Sequence, residues 1–280
     1  MTSIVFGLLT AAFFATSALC NSRAAKIIGS WSGVAWAMLV GLLVTLPFLF
    51  LAGVPAAVGE NIGWMAATGL GNVTALVLAG LAFRVGKVGV ITPILATEGA
   101  ISAVIAAMLG ESIAPIVAFL LFVIVVGIVI SAIAPDPEPL DHERPVLAVV
   151  LATAGAAVFG ISLFTTGHLS GDLPIAWVLL PARLVGVVAL TIPLALTRNL
   201  RITRGTVPLV IAMGLAEVIG FTCFAIGAQY EVAITSVLAS QFAPIAAVMA
   251  YVLFKEKLGR LQITGVVILV MGVTALSIAS

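Results

Sequence analysis

The second half of this chain is a diverged copy of the first, at a constant spacing of 145 residues. Ala11-Ala12-x-Phe14 returns as Ala156-Ala157-x-Phe159, Leu39-Val40-Gly41 as Leu184-Val185-Gly186, and Gly69-Leu70 as Gly214-Leu215. Glu111 returns as Glu256 and Gly127 as Gly272, still without a gap. Each copy holds five apolar spans, and an odd number forces the two copies into opposite orientations across a bilayer. Inverted repeats of this kind place a site between the halves near the midplane.

A bilayer is required by composition. Hydrophobic residues make up 62% of the chain and charged residues 8%, with a mean hydropathy of +1.32. A water-soluble domain would expose far too much apolar surface at these values. The net charge of +1 gives nucleic acid no purchase. Cys20 and Cys223 each lie within an apolar span, which argues against a disulfide framework or a metal site. His142 and His168 are expected in loops, without ligand spacing around them. The first span lacks a basic leader and has a counterpart in the second repeat, so it reads as structural rather than as a cleaved signal.

About 20 apolar residues cross a bilayer as a helix. Ten such spans can be placed, at 2–22, 33–53, 62–83, 88–109, 113–133, 145–166, 173–196, 206–228, 232–253 and 260–278. Backbone polar groups in lipid must be satisfied internally, and a β-barrel would show short alternating segments instead, so the expected fold is an all-α membrane protein. Its ten helices form two inverted five-helix repeats, 1–133 and 145–280, around a central cavity. The proline- and acid-rich stretch 134–144 cannot be embedded and serves as the linker.

Loop charge is one-sided. Eleven of the twelve Lys and Arg residues fall in odd-numbered loops: Arg23, Lys26, Arg84, Lys87, Arg144, Arg198, Arg201, Arg204, Lys255, Lys257 and Arg260. Each even loop carries one acid, namely Glu60, Glu111, Asp172 or Glu231. By the positive-inside rule the odd loops are cytoplasmic and both termini lie outside.

Ten spans in two repeats, with Gly110-Glu111 and Lys255-Glu256 before the last span of each, resemble the drug/metabolite transporter superfamily and its EamA-type branch over essentially the whole chain. The resemblance implies helices around a central cavity, alternating access, and export of amino acids, metabolites or cationic toxicants. Pro244 matches the family's proline in span nine, and Gly99 stands at the equivalent place in span four. Arg183 matches the arginine that opens the second span of an EamA repeat; the first repeat has Met38 there. Most members of this branch have cytoplasmic termini, whereas the charges here indicate the reverse.

Only three charged residues remain inside the spans: Glu98, Arg183 and Glu217. A charge at the bilayer centre costs about 2.5–3.5 kcal/mol on insertion scales, so it needs a partner or a use. Glu217 in span eight is answered in span three by Asn72, which puts polar groups at one level of equivalent helices. Two acids and one base leave an imbalance. Arg183 is expected to pair with one glutamate, and the other is left to bind a proton or a cationic group; a structural bridge between helices is the alternative. Arg183 clamping a substrate carboxylate is a further possibility. Asn72, Thr97, Ser240 and Gln241 are candidates to line the cavity, although small hydroxyls and amides also join helices without function.

Pro93, Gly99 and Pro244 are hinge candidates, since prolines free carbonyls within a span; a packing kink is the plainer account. Trp31, Trp36, Trp64 and Trp177 read as interfacial anchors. Phe13, Phe14, Phe159, Phe221 and Phe224 read as core rather than as a recognition cage. Gly86-Lys87-Val88 lacks the glycine lead and the Ser or Thr of a phosphate loop.

These features together predict a secondary-active transporter of the cell inner membrane. The expected activity is export of small metabolites such as amino acids by alternating access, with proton coupling. An importer, a channel-like facilitative carrier of polar solutes, or a non-transporting scaffold are the alternatives. No catalytic constellation, metal site or cofactor is expected, and a monomer can enclose the cavity. The expected partners are the bilayer, a small substrate and protons.

Overall fold

The computed structural model of the chain describes residues 1–110, 114–116, 118–120, 122–123, 126, 130, 144–254 and 260–279. Linker residues 134–143, the paired Glu111 and Glu256, Lys255, His142, and most of the span expected at 113–133 lie outside the described residues. No strand occurs among those described.

The helices are α1 (Thr2–Ile28), α2 (Ser30–Ala52), α3 (Ile62–Val85), α4 (Val88–Leu95), α5 (Glu98–Met108), α6 (Pro145–Asp172), α7 (Ile175–Gly186), α8 (Ile192–Leu196), α9 (Val207–Ala228), α10 (Val232–Ala239), α11 (Phe242–Phe254) and α12 (Arg260–Ala279). Among the described residues, seven helices are long and apolar enough to cross a membrane: Thr2–Ile28, Ser30–Ala52, Ile62–Val85, Ile91–Met108, Val146–Asp172, Ile175–Leu196 and Val207–Ala228. Ile91–Met108 runs through α4 and α5. A short π turn, Val187–Thr191, joins α7 to α8. Pro193 lacks an N–H, and just before it the Ile192 N–H reaches back five residues to the Val187 carbonyl.

Several helices outrun their apolar spans. α1 continues through Arg23 and Lys26 to Ile28, so the connection to α2 shrinks to Gly29, whose φ of 86° favours glycine. Trp31 therefore lies in α2 and His168 in α6, and neither is the loop residue expected from sequence. Hydropathy marks where lipid ends. A helix ends only where its backbone hydrogen bonding is interrupted.

The core is rich in small residues, with large side chains such as Phe224, Leu163 and Met213 buried among them. Ala11, Ala15, Ala35, Ala37 and Ala152 are fully buried, whereas Leu43, Phe48, Phe50, Leu51 and Met108 point outward and are exposed. Lipid tails are as apolar as leucine, so large side chains gain little by turning inward, and small ones let backbones approach. α1 packs on α9 and α3 on α6; α2 meets α9 and α7, and α3 meets α7. A Cβ on Gly69 would lie 2.7 Å from the Pro181 carbonyl oxygen and 2.9 Å from Val185. A Cβ on Gly214 would lie 2.7 Å from the Ala37 carbonyl oxygen and from Val40.

Two spans are broken at corresponding places. α4 gives way to α5 at Ala96-Thr97, and α10 to α11 at Ser240-Gln241. In the second break Pro244 has no N–H for the Ser240 carbonyl, which accepts instead from Ala243 N–H at 3.3 Å. In the first, the Thr97 hydroxyl and N–H both turn back to the Ile94 carbonyl, at 2.7 and 3.2 Å. The broken spans cross, with α5 against α10 and α4 against α11.

Candidate functional site

The break in span four places Glu98 in the first turn of α5, where the free N–H groups of a helix start favour negative charge. Its side chain is 2% exposed, and Oε1 has no hydrogen-bond partner among the described residues. Glu217 sits midway along α9 and is also 2% exposed. The Ser17 hydroxyl of α1 donates to Glu217 Oε1 at 2.6 Å. Arg183 Nη1 of α7 stands 3.8 Å from Glu217 Oε2.

Arg183 is 1% exposed and is held by more than its acid. Its Nη1 approaches Met38 Sδ at 3.5 Å, and its guanidinium carbon lies 5.7 Å from the centre of the Phe221 ring. The stem runs across Gly41, where a Cβ would come within 2.8 Å of Arg183 Cδ. Of the two glutamates left open by sequence, Glu217 is the one beside the arginine.

A small cavity of about 40 Å³ brings the two acids onto one surface. Its described polar lining is Ser17, Asn21, Glu98 and Glu217, and its aromatic lining is Phe14, Phe83, Phe159 and Phe242. The rings cluster: Phe14 lies 6.0 Å from Phe159 and 6.5 Å from Phe242, centre to centre. Asn21 donates from Nδ2 to the Leu76 carbonyl at 3.2 Å, and its Oδ1 has no partner among the described residues.

The other sequence candidates stand apart from this lining. Asn72 is fully buried in α3 with neither amide atom partnered among the described residues. Thr97 donates to Ile94, Ser240 to the Ser236 carbonyl at 3.1 Å, and Gln241 to the Val237 carbonyl at 3.4 Å, each within its own span. Gly99 lies where α5 crosses α10, and a Cβ there would overlap the Ser240 hydroxyl and the Ser236 carbonyl. Beside it Ser102 and Ser236 share a hydrogen bond of 2.8 Å. Pro93 lies inside α4, one turn before its break, and Pro244 inside α11, one turn after its own.

Sequence reasoning missed Ser17 and Asn21. Their signal was present in the spacing of Thr10, Phe14, Ser17 and Asn21, which lie on one face of α1 and are the polar and aromatic members of an otherwise small-residue surface.

A comparison with curated proteins found no match. A protein of known crystal structure superposes with a TM-score of 0.76 over 98% of this chain and 96% of its own, at 14% sequence identity, so the two share a fold. Residues 146–278 match the EamA-like transporter family, and that match places this multi-pass membrane protein in the drug/metabolite transporter superfamily.

Proposed function

We propose that the chain is a secondary-active carrier that exports small metabolites by alternating access, and that Glu98 is the acid through which protons or substrate couple to the movement. The observation that carries this reading is the unequal state of two acids on one cavity. Glu217 has Arg183 and Ser17, whereas Glu98 has an oxygen with no partner among the described residues. A buried carboxyl without a counter-charge is expensive, and a structural role would have given it one.

Reciprocal contacts favour two inverted repeats of five spans. Gly69 meets Val185 as Gly214 meets Val40, and each pair maps onto the other when the halves exchange by 145 residues. The packing of α1 on α9 and α3 on α6 exchanges in the same way. At the ends of the molecule, Trp36 Nε1 donates to the Arg201 carbonyl at 3.1 Å, and Trp177 Nε1 to the Gly53 carbonyl at 2.7 Å. Such paired closures suit a carrier whose two ends open in turn. The loop charges favour the inner membrane with both termini outside.

The test is proton-driven uptake of substrate into everted vesicles by the native protein, Glu98→Gln and Glu217→Gln. Loss of coupling in Glu98→Gln is expected. Full coupled activity in Glu98→Gln would sink the proposal, whatever Glu217→Gln does.

A further inference from the structure

We infer that the loop 197–206 is a binding surface for an anionic phospholipid, whose headgroup phosphate is taken by Arg198, Arg201 and Arg204. The loop follows α8 and carries three cations and no acid. All three arginines are exposed and form no ion pair among the described residues. The side chains around them mark the edge of the lipid. Leu196 before them, Ile202 between them and Val207 after them are exposed and apolar, so the guanidinium groups stand at the level where headgroups begin. Lys26, exposed in the last turn of α1, adds a charge to the same end. Ala24 and Ile28 of that helix pack with Val210 and Trp36 beside the loop.

Two features set this loop apart from a run of solvated charges. Arg198 has a φ of 56° and is the one described residue other than glycine with a positive φ. Its counterpart 145 residues earlier is Gly53, with a φ of 65°. Glycine takes this backbone form freely, and a residue with a Cβ takes it at a cost. An arginine that stands there at that cost points to a use for its charge. The loop backbone is also fixed. Asn199 and Leu200 N–H both donate to the Leu194 carbonyl, at 2.8 and 3.0 Å. Ser32 Oγ accepts from Arg201 N–H at 3.1 Å, and Trp36 Nε1 donates to the Arg201 carbonyl at 3.1 Å. Arginines on a fixed backbone lose less freedom on binding, and a guanidinium matches two oxygens of one phosphate. At the other end of the molecule the loop 53–61 receives Trp177 at Gly53 but has no cation, so the surface belongs to one end only.

The full chain is purified into nanodiscs of phosphatidylcholine, alone or with an equal part of phosphatidylglycerol. Lipid retained on release is counted by native mass spectrometry, and the thermal midpoint is measured beside it. Phosphatidylglycerol is expected to be retained and to raise the midpoint, and each arginine replaced should weaken retention about fivefold. Arg198→Gly relieves the turn, so in phosphatidylcholine alone it should melt no lower than the native chain while retaining less phosphatidylglycerol. Arg201→Gln with Arg204→Gln should remove most of the rest. Arg144→Gln, which takes away an exposed charge outside the loop, should retain as much as the native chain. Native retention in Arg198→Gly and in the double variant overturns the surface. So does an Arg198→Gly midpoint that falls equally in both lipids with retention unchanged, since the arginine would then serve only the carbonyls at the end of α8. An equal loss in Arg144→Gln replaces the site by diffuse attraction. Inorganic phosphate that raises the midpoint in phosphatidylcholine as far as phosphatidylglycerol does gives the arginines to a soluble anion and overturns the lipid. None of these outcomes bears on carriage, which flux measures separately.

Discussion

Arg183 touches its own counterpart. Met38 lies 145 residues before it in the repeat, and Arg183 Nη1 is 3.5 Å from Met38 Sδ. The surroundings exchange as well: Arg183 crosses Gly41, and Met38 presses on Gly186, which is Gly41 shifted by the same 145 residues. In the proposed two-fold arrangement, a residue in contact with its counterpart stands at the axis. In that arrangement the one buried cation described in the spans sits where the proposed halves meet.

Arg183→Met makes the contact with Met38 symmetric and leaves Glu217 with Ser17 alone. Removing one member of a buried ion pair costs about 3–5 kcal/mol, because the remaining charge stays buried. Arg183→Met should lower the thermal midpoint of the detergent-purified protein sharply. Adding Glu217→Gln removes the stranded charge and should return most of the loss. A double variant less stable than either single one would contradict the pairing.

Ser17→Ala tests the second support of Glu217. The 2.6 Å hydroxyl contact is short, and a hydrogen bond to a charged group contributes about 1.5–3 kcal/mol. Stability should fall by an amount in that range. Thr16→Ala, one position along and bonded only to the Ala12 carbonyl in an exposed place, should leave the midpoint unchanged. Equal effects from the two substitutions would remove Ser17 from the site.

The helical fold and the isolated charges were legible because lipid imposes simple rules: apolar runs become helices, and a buried acid stands out against alanine and leucine. The breaks at Ala96-Thr97 and Ser240-Gln241 were less visible. Pro93 and Pro244 each stand one turn from a break, but a proline does not fix where the helix stops; in span four the Thr97 hydroxyl and N–H both turn back to Ile94, and a threonine in an apolar run has no single meaning. Which acid Arg183 would choose was not legible, since the choice depends on how α7 crosses α9. Nor was the fate of Thr97, Ser240 and Gln241, whose donors are taken by carbonyls one turn earlier. Ser17 and Asn21 required treating span one as a helix with a polar face rather than as an uninterrupted apolar run.

The proposed sidedness rests on loop charge and can be measured directly. In a cysteine-free background, Glu60→Cys should react with a membrane-impermeant thiol reagent added to intact cells. Arg201→Cys, in the loop that receives Trp36, should react only after permeabilisation. The opposite pattern would place the termini in the cytoplasm and exchange the roles of the two repeats.

Gly99→Ala separates a crossing point from a hinge. A Cβ at Gly99 overlaps the Ser240 hydroxyl and the Ser236 carbonyl, and the Ser236 carbonyl carbon would lie 2.9 Å away. The hydroxyl can rotate, but the backbone cannot, so α5 and α10 must separate. Forcing extra volume into a packed contact costs about 1–3 kcal/mol, and the Ser102–Ser236 bond across the same crossing would lengthen with it. The melting temperature should therefore drop, and Ser240→Gly in the same chain should recover only the part owed to the hydroxyl. Gly59→Ala, where nothing lies within 4 Å, is the control and should be neutral. If Gly99→Ala kept native stability and lost only transport, the glycine would be serving motion rather than close approach, and span four would bend at this residue during the cycle.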